Sequence, residues 1–164
     1  MYLHNDRDLF EEVINETNAQ TGIVQSIIEK DYYVTMILKL LAKSYPDTVF
    51  KGGTALSKCF HLIDRFSEDI DITFSEHIGA SRRKKLKYDI LKPISEELDM
   101  PIENWSTIES DKDYNYYLFA YKPISDFPVA GISSGVKLET ALVSYSFPTV
   151  EKEVSSIIYE TLKN

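Results

Sequence analysis

The stretch FKGGTALSKCFHLIDRFSEDIDITF, residues 50–74, constrains the fold of this chain more than any other. Residues 49–51 form a short run suited to a strand. Gly52-Gly53 breaks it, and Thr54 is placed to cap a following helix. Ala55, Leu56, Cys59, Phe60 and Ile63 recur at helical spacing, which predicts a helix with one inward face. After Arg65-Phe66-Ser67-Glu68 the period falls to two: Ile70, Ile72 and Phe74 alternate with Asp69, Asp71 and Thr73. Residues two apart on a strand share a face, so Asp69 and Asp71 project together while the isoleucines bury. Paired carboxylates repel and raise each other's pKa unless a cation joins them. A hard divalent ion such as Mg²⁺ suits two carboxylates plus substrate phosphates. Upstream, the backbone N–H groups of the glycine pair offer an anion site. A phosphate cradle and a carboxylate pair in one supersecondary unit point to phosphoryl or nucleotidyl transfer.

The rest of the chain supplies the frame. Asn5 or Asp6 can cap a helix over residues 7–17, and a longer helix is expected over 23–44, stopped by Tyr45-Pro46-Asp47. Lys30 and Asp31 fall mid-helix, either as a solvated face or lining the site from behind the glycine turn. Lys58 is a surface lysine or a phosphate ligand. Residues 81–99 read as a helix with a basic start (Arg82, Arg83, Lys84, Lys85, Lys87) and an acidic end, opposite to what the helix dipole favours. That cluster is either a solubilising face or an RNA phosphate contact. Pro93 implies a kink or break. Strands are expected at 102–108, 116–124 and 133–146. The tyrosines of the second serve sheet packing, or one stacks on a base at the site rim. In the third, Lys137 and Glu139 share a face. Residues 151–163 read as a short amphipathic helix.

Composition narrows the class. Hydrophobic content of 43% indicates a globular chain, and 164 residues suggest one domain, with helices over 1–48 and a sheet core over 49–164. The net charge of −8 argues against a broad nucleic-acid-binding surface but leaves room for a local basic patch. The single cysteine, Cys59, excludes an internal disulfide and is expected in the core. The three histidines show no metal-ligand spacing. With no signal peptide and no membrane span in view, a cytoplasmic protein is expected.

Gly52-Gly53-Thr54, Leu56, Arg65-Phe66-Ser67 and Asp69-Ile70-Asp71, in this order, resemble the signature of the AbiEii/AbiGii-type nucleotidyltransferase toxins, within the polymerase-β-like superfamily. Glu29-Lys30-Asp31-Tyr32-Tyr33 resembles a further segment of that family. The resemblance implies an α+β fold, a small mixed sheet flanked by helices. It implies Mg²⁺ or Mn²⁺ on Asp69, Asp71 and a third acid, for which Glu139 fits by order and spacing. NTP would be held by Gly52, Gly53, Thr54 and Ser67, with Arg65 or Lys137 balancing charge. The implied reaction transfers NMP to a tRNA 3′ end or a protein hydroxyl, in a toxin–antitoxin or phage-defence system with a cognate antitoxin. Family members usually continue into a helical C-terminal region, so a nucleotide-binding module without turnover is the alternative. A metal-dependent phosphohydrolase is a third reading.

Overall fold

The structure is a computed structural model describing residues 1–63, 66–110, 112–124, 134–142 and 148–163. Helix α1 (Arg7–Thr21) begins at Asp6, whose carboxylate accepts from Leu9 N at 3.1 Å. It runs a turn beyond the expected end because the first residue able to close it is Gly22, at φ 71°. Helix α2 (Gln25–Ser44) matches the sequence pattern and buries Ile28, Ile37 and Leu41.

Four strands form one mixed sheet: β1 (Thr48–Lys51), β2 (Ile70–Phe74), β3 (Tyr114–Ala120) and β4 (Gly135–Ala141), in the order β1-β2-β4-β3. β1 and β2 are antiparallel, β2 and β4 parallel, β4 and β3 antiparallel. This is the α+β architecture the sequence implied. The two-residue period sorts the strands into faces. Ile70, Ile72, Val136, Leu138, Tyr117 and Phe119 lie on one face, buried in a single cluster with the apolar residues of α1 and α2. Fully burying each aliphatic side chain stabilises the fold by about 1.5–3 kcal/mol. The other face carries the polar partners of the alternation.

Helix α3 (Gly52–Lys58) links β1 to β2. Helices α4 (Ala80–Lys85) and α5 (Lys92–Glu97) are joined by a π-helical turn, Leu86–Leu91. There is no break at Pro93. The N–H of Lys92 reaches Lys87 O, and this wider turn accommodates a proline that has no N–H to give.

Three expectations are corrected. Residues 102–108 do not form a strand: a 3₁₀ turn covers Trp105–Thr107, and Ile102 alone bridges Phe119. The Lys87 ammonium takes the Ile108 carbonyl at 2.8 Å and sits 4.6 Å from the Trp105 ring centroid, which draws this segment into a turn. Strand β3 stops at Ala120 rather than residue 124, and side chains hold the next backbone groups: Arg7 donates to Pro123 O at 2.9 Å and Glu29 accepts from Ile124 N at 3.0 Å. The C-terminal helix, α6 (Ile157–Leu162), is shorter than expected because Ser156 caps it, accepting from Tyr159 N at 3.1 Å. No helix among the described residues is long and apolar enough to cross a membrane.

Candidate active site

The strand registers align four side chains in a row across the open face. Lys51 on β1 stands opposite Asp71 on β2, Asp71 opposite Glu139 on β4, and Glu139 opposite Tyr116 on β3. Asp69, two residues before Asp71, and Lys137, two before Glu139, occupy the same face one level along. The sheet therefore gathers the three acids singled out in the sequence, although Asp71 and Glu139 are far apart in the chain. Asp69, Asp71, Lys137 and Glu139 are all half-buried.

Gly52 is fixed by this row. It lies at φ 77°, and a Cβ there would sit 2.1 Å from Asp71 Oδ2 and 2.8 Å from its Cγ. Only glycine allows both the left-handed backbone and the carboxylate pressed against it. Helix α3 begins at Gly52 itself, with Lys51 as its N-cap and no side-chain cap bond. Thr54 is thus inside the helix rather than its cap. It is fully buried, and its hydroxyl contacts Ser67 Oγ at 2.9 Å and the Asp69 carbonyl, clamping the glycine turn to the loop before β2. The helix also ends earlier than its apolar spacing suggests. His61 adopts φ 52°, its N–H bonds to Ser57 O in the manner of an αL cap, and Leu62 N bonds to Leu56 O. Leu56 and Phe60 are consequently exposed and Cys59 is half-buried, not in the core. Arg65 lies outside the described residues.

Like charges set the electrostatics. Burial first, then the neighbouring carboxylates of Glu139 and Asp69, push the Asp71 carboxyl above its ordinary range. Burial likewise raises Asp69, partly offset by Lys137 and Lys30. Glu139 moves the other way, held down by its ion pair with Lys137 and by a hydrogen bond from the Tyr114 phenol. Among the described residues no three His, Cys, Asp or Glu side chains form a ready metal cage. An all-oxygen donor set in which Asp69 and Asp71 resist ionising side by side fits a hard cation shared with substrate phosphates, since Mg²⁺ is commonly held by one or two carboxylates plus such ligands.

The charged run of α2 sits behind this site and is not a solvated face. Lys30 is 1% exposed and pairs with Glu68, the residue before Asp69. Asp31 pairs with Lys58 and accepts from Ile157 N at 2.7 Å, so Lys58 is committed to the interior. Glu29 is 2% exposed. The sequence offered one sign of this: charges placed in the middle of an otherwise apolar helix. The basic cluster of α4 also divides. Arg83 is buried, donating to Ile78 O at 2.9 Å and to Asp113 Oδ1 at 2.7 Å, and Lys87 is buried against Trp105, whereas Arg82, Lys84 and Lys85 are exposed.

A mixed sheet presenting acids from neighbouring strands beside a glycine-led helix defines an α+β protein built round a carboxylate cluster. The family model described as "Nucleotidyl transferase AbiEii toxin, Type IV TA system" matches residues 39–163, and the chain belongs to that family. It is therefore a member of the nucleotidyltransferase toxins of type IV toxin–antitoxin systems, a family that generally uses NTP and divalent metal ions. No curated protein and no solved structure matches the chain.

Proposed function

We propose that this chain transfers an NMP group from an NTP to a hydroxyl of an RNA or protein acceptor, as the toxin of a toxin–antitoxin or phage-defence system in the cytoplasm. The observation that carries this reading is the register that sets Asp71 opposite Glu139, with Asp69 on the same face. Asp69, Asp71 and Glu139 would hold Mg²⁺ or Mn²⁺. Bound there, the ion supplies positive charge to the phosphate oxygens as the bond to pyrophosphate breaks.

The remaining roles belong to the chain's own groups. The backbone N–H groups at Gly52 and Gly53 orient the β- and γ-phosphates at the β1 side of the row. Ser67, which meets Thr54 at 2.9 Å, turns its proton from Thr54 to a phosphate oxygen when NTP binds. Thr54 positions Ser67 and Asp69 from beneath. Lys137 balances negative charge on the transferring phosphoryl group. Glu139 accepts the proton of the attacking hydroxyl. The acceptor oxygen bonds to the α-phosphorus in line with the departing pyrophosphate.

The test is a labelling assay. The chain is incubated with each α-labelled NTP, Mg²⁺ or Mn²⁺, total RNA and protein, alongside Asp69→Asn and Asp71→Asn. Label in an acceptor, lost in both variants at unchanged thermal stability, is the expected result. Metal-dependent NTP binding without incorporation would fit a nucleotide-binding module instead. Phosphate release without acceptor labelling would fit a phosphohydrolase.

A further inference from the structure

The two aspartates of the acid row are not held alike. Asp71 lies inside the sheet, in register with Lys51 on one side and Glu139 on the other. Asp69 lies one residue ahead of β2, where pairing with β4 starts at Ile70 and pairing with β1 at Asp71. No strand partner among the described residues therefore fixes Asp69. A metal ligand has to be held to within about 0.5 Å by the shell behind it, and a loop entering a strand does not supply that alone.

Side chains from α3 and α2 grip this stretch instead. From α3, the Thr54 hydroxyl meets Ser67 Oγ at 2.9 Å and the Asp69 carbonyl. From α2, the Lys30 ammonium pairs with the Glu68 carboxylate, so Glu68 reaches back into the molecule next to an aspartate that serves the open face. The two ends of this pair differ. Lys30 is 1% exposed and stands on a fixed base, since Glu29 accepts from Ile124 N at 3.0 Å and Asp31 from Ile157 N at 2.7 Å. The Glu68 side chain is 34% exposed and belongs to the loop. The helix is thus the anchor, and the loop is what it holds. Stability does not account for the pair, because apolar side chains of similar volume often match or better an interior ion pair. What a charge-assisted bond supplies is a short, directed contact, which apolar packing does not.

We propose that Lys30 is a positioning residue of the metal site: through Glu68 it fixes the backbone that aims Asp69 at the cation. This rests on the nucleotidyl-transfer reading above and adds to it a buried cation that never touches substrate.

The experiment follows binding of α,β-methylene NTPs, whose α–β linkage cannot be cleaved, as Mn²⁺ is titrated. Label transfer from ordinary α-labelled NTP and denaturant titration accompany it. Lys30→Met/Glu68→Gln removes the tie and both charges, so that neither is left buried without the other. Glu68→Asp keeps both charges and shortens the reach by one methylene. Asp69→Asn is the control. The double variant should be as stable as wild type, with its Mn²⁺ midpoint raised on the order of 10–100-fold, the usual effect of removing a group behind a metal ligand. Transfer should fall with it and return when Mn²⁺ is raised by the same factor, a recovery that general loosening of the fold would not give. Glu68→Asp should shift the midpoint the same way by about 10-fold, and decides alone if the double variant folds poorly. Wild-type midpoints in Glu68→Asp and in a stable double variant, with binding lost in Asp69→Asn, overturn the role of Lys30 and leave the proposed function standing. Absence of Mn²⁺-dependent binding in the wild type, or equal binding by Asp69→Asn, overturns both.

Discussion

Two groups of charged residues sit close together in this molecule and are treated in opposite ways. Glu29, Lys30 and Asp31 on α2 are buried, and each meets a specific partner: Ile124 N, Glu68, and Lys58 with Ile157 N. Asp69, Asp71 and Glu139 on the open face are half-buried and face one another, with two carboxyls raised by burial and mutual repulsion. Burying a charge is costly unless it is paired and hydrogen-bonded, and Lys30 and Asp31 meet that condition, whereas Glu29 has the Ile124 N–H and is raised by its burial. On the open face Glu139 is paired with Lys137, while Asp69 and Asp71 stay raised by burial and by neighbouring carboxylates. Charge that is fully matched within the chain ties elements together. Charge that stays reachable and raised is what the metal ion of the proposed function would use.

Gly52→Ala is the strongest way to break this contrast, because it alters no charge. The new Cβ would fall 2.1 Å from Asp71 Oδ2, so the carboxylate must move, and the left-handed φ of 77° adds strain of roughly 1 kcal/mol. Displacing a reacting group by about 1 Å can cost on the order of 100-fold in rate. Label transfer and metal-dependent NTP binding should both fall by at least that factor, while the melting temperature drops by only a few degrees. Normal activity in this variant would mean that Asp71 does not act from the position it occupies.

Asp31→Ala probes the other side of the contrast. It strips the partner from Lys58, whose side chain is 10% exposed, and from Ile157 N. Removing one member of a buried pair costs about 3–5 kcal/mol. Denaturant titration should show that loss, and the double variant Asp31→Leu/Lys58→Met should recover much of it. A single variant as stable as wild type but inactive would move Asp31 from scaffold to chemistry.

Glu29 sharpens the same point through pH. Burial raises its carboxyl from the usual range to about 7, against a partial pull downward from Ile124 N–H and Arg7. The folded state therefore holds a proton that the unfolded state has released between about pH 4.5 and pH 7. Stability must fall as pH rises through that window, by about 3 kcal/mol in all. Glu29→Gln keeps an acceptor for Ile124 N–H and cannot ionise. Its stability should match wild type at pH 5, exceed it at pH 8, and vary little between. Parallel curves for the two proteins would show that Glu29 is ionised throughout.

Much of this was legible in the residues. The alternation of Ile70, Ile72 and Phe74 with Asp69 and Asp71 gave strand, face and acid pair at once, and α2 followed from its apolar repeat. Three things were hidden. Register between β2 and β4 depends on pairing distant segments, so the opposition of Asp71 and Glu139 had order and spacing behind it but no contact. The end of α3 rests on the left-handed His61, which interrupts an apolar spacing that otherwise runs on to Ile63. The buried partners of Lys30 and Asp31 come from α3, the loop before β2 and the start of α6, which no local pattern connects to α2. Gly52 was read as a phosphate cradle alone, and the carboxylate resting on it gives the glycine a second reason that only the register reveals.

Thr54 carries the smallest expected effect and separates the two kinds of charge handling most finely. From sequence its hydroxyl belongs to the phosphate, but in the structure it is fully buried and bonded to Ser67 and to the Asp69 carbonyl. Thr54→Val keeps the shape and removes the hydroxyl with both its bonds, so stability should fall by about 1–2 kcal/mol. NTP affinity should fall only a few-fold, through the loosened loop that carries Ser67 and Asp69, and Thr54→Ser should restore both. A loss of NTP affinity approaching that of Asp71→Asn, at unchanged stability, would show that the hydroxyl turns from the loop to the substrate. The clamp under the acid cluster would then belong to the reactive face rather than to the frame that supports it.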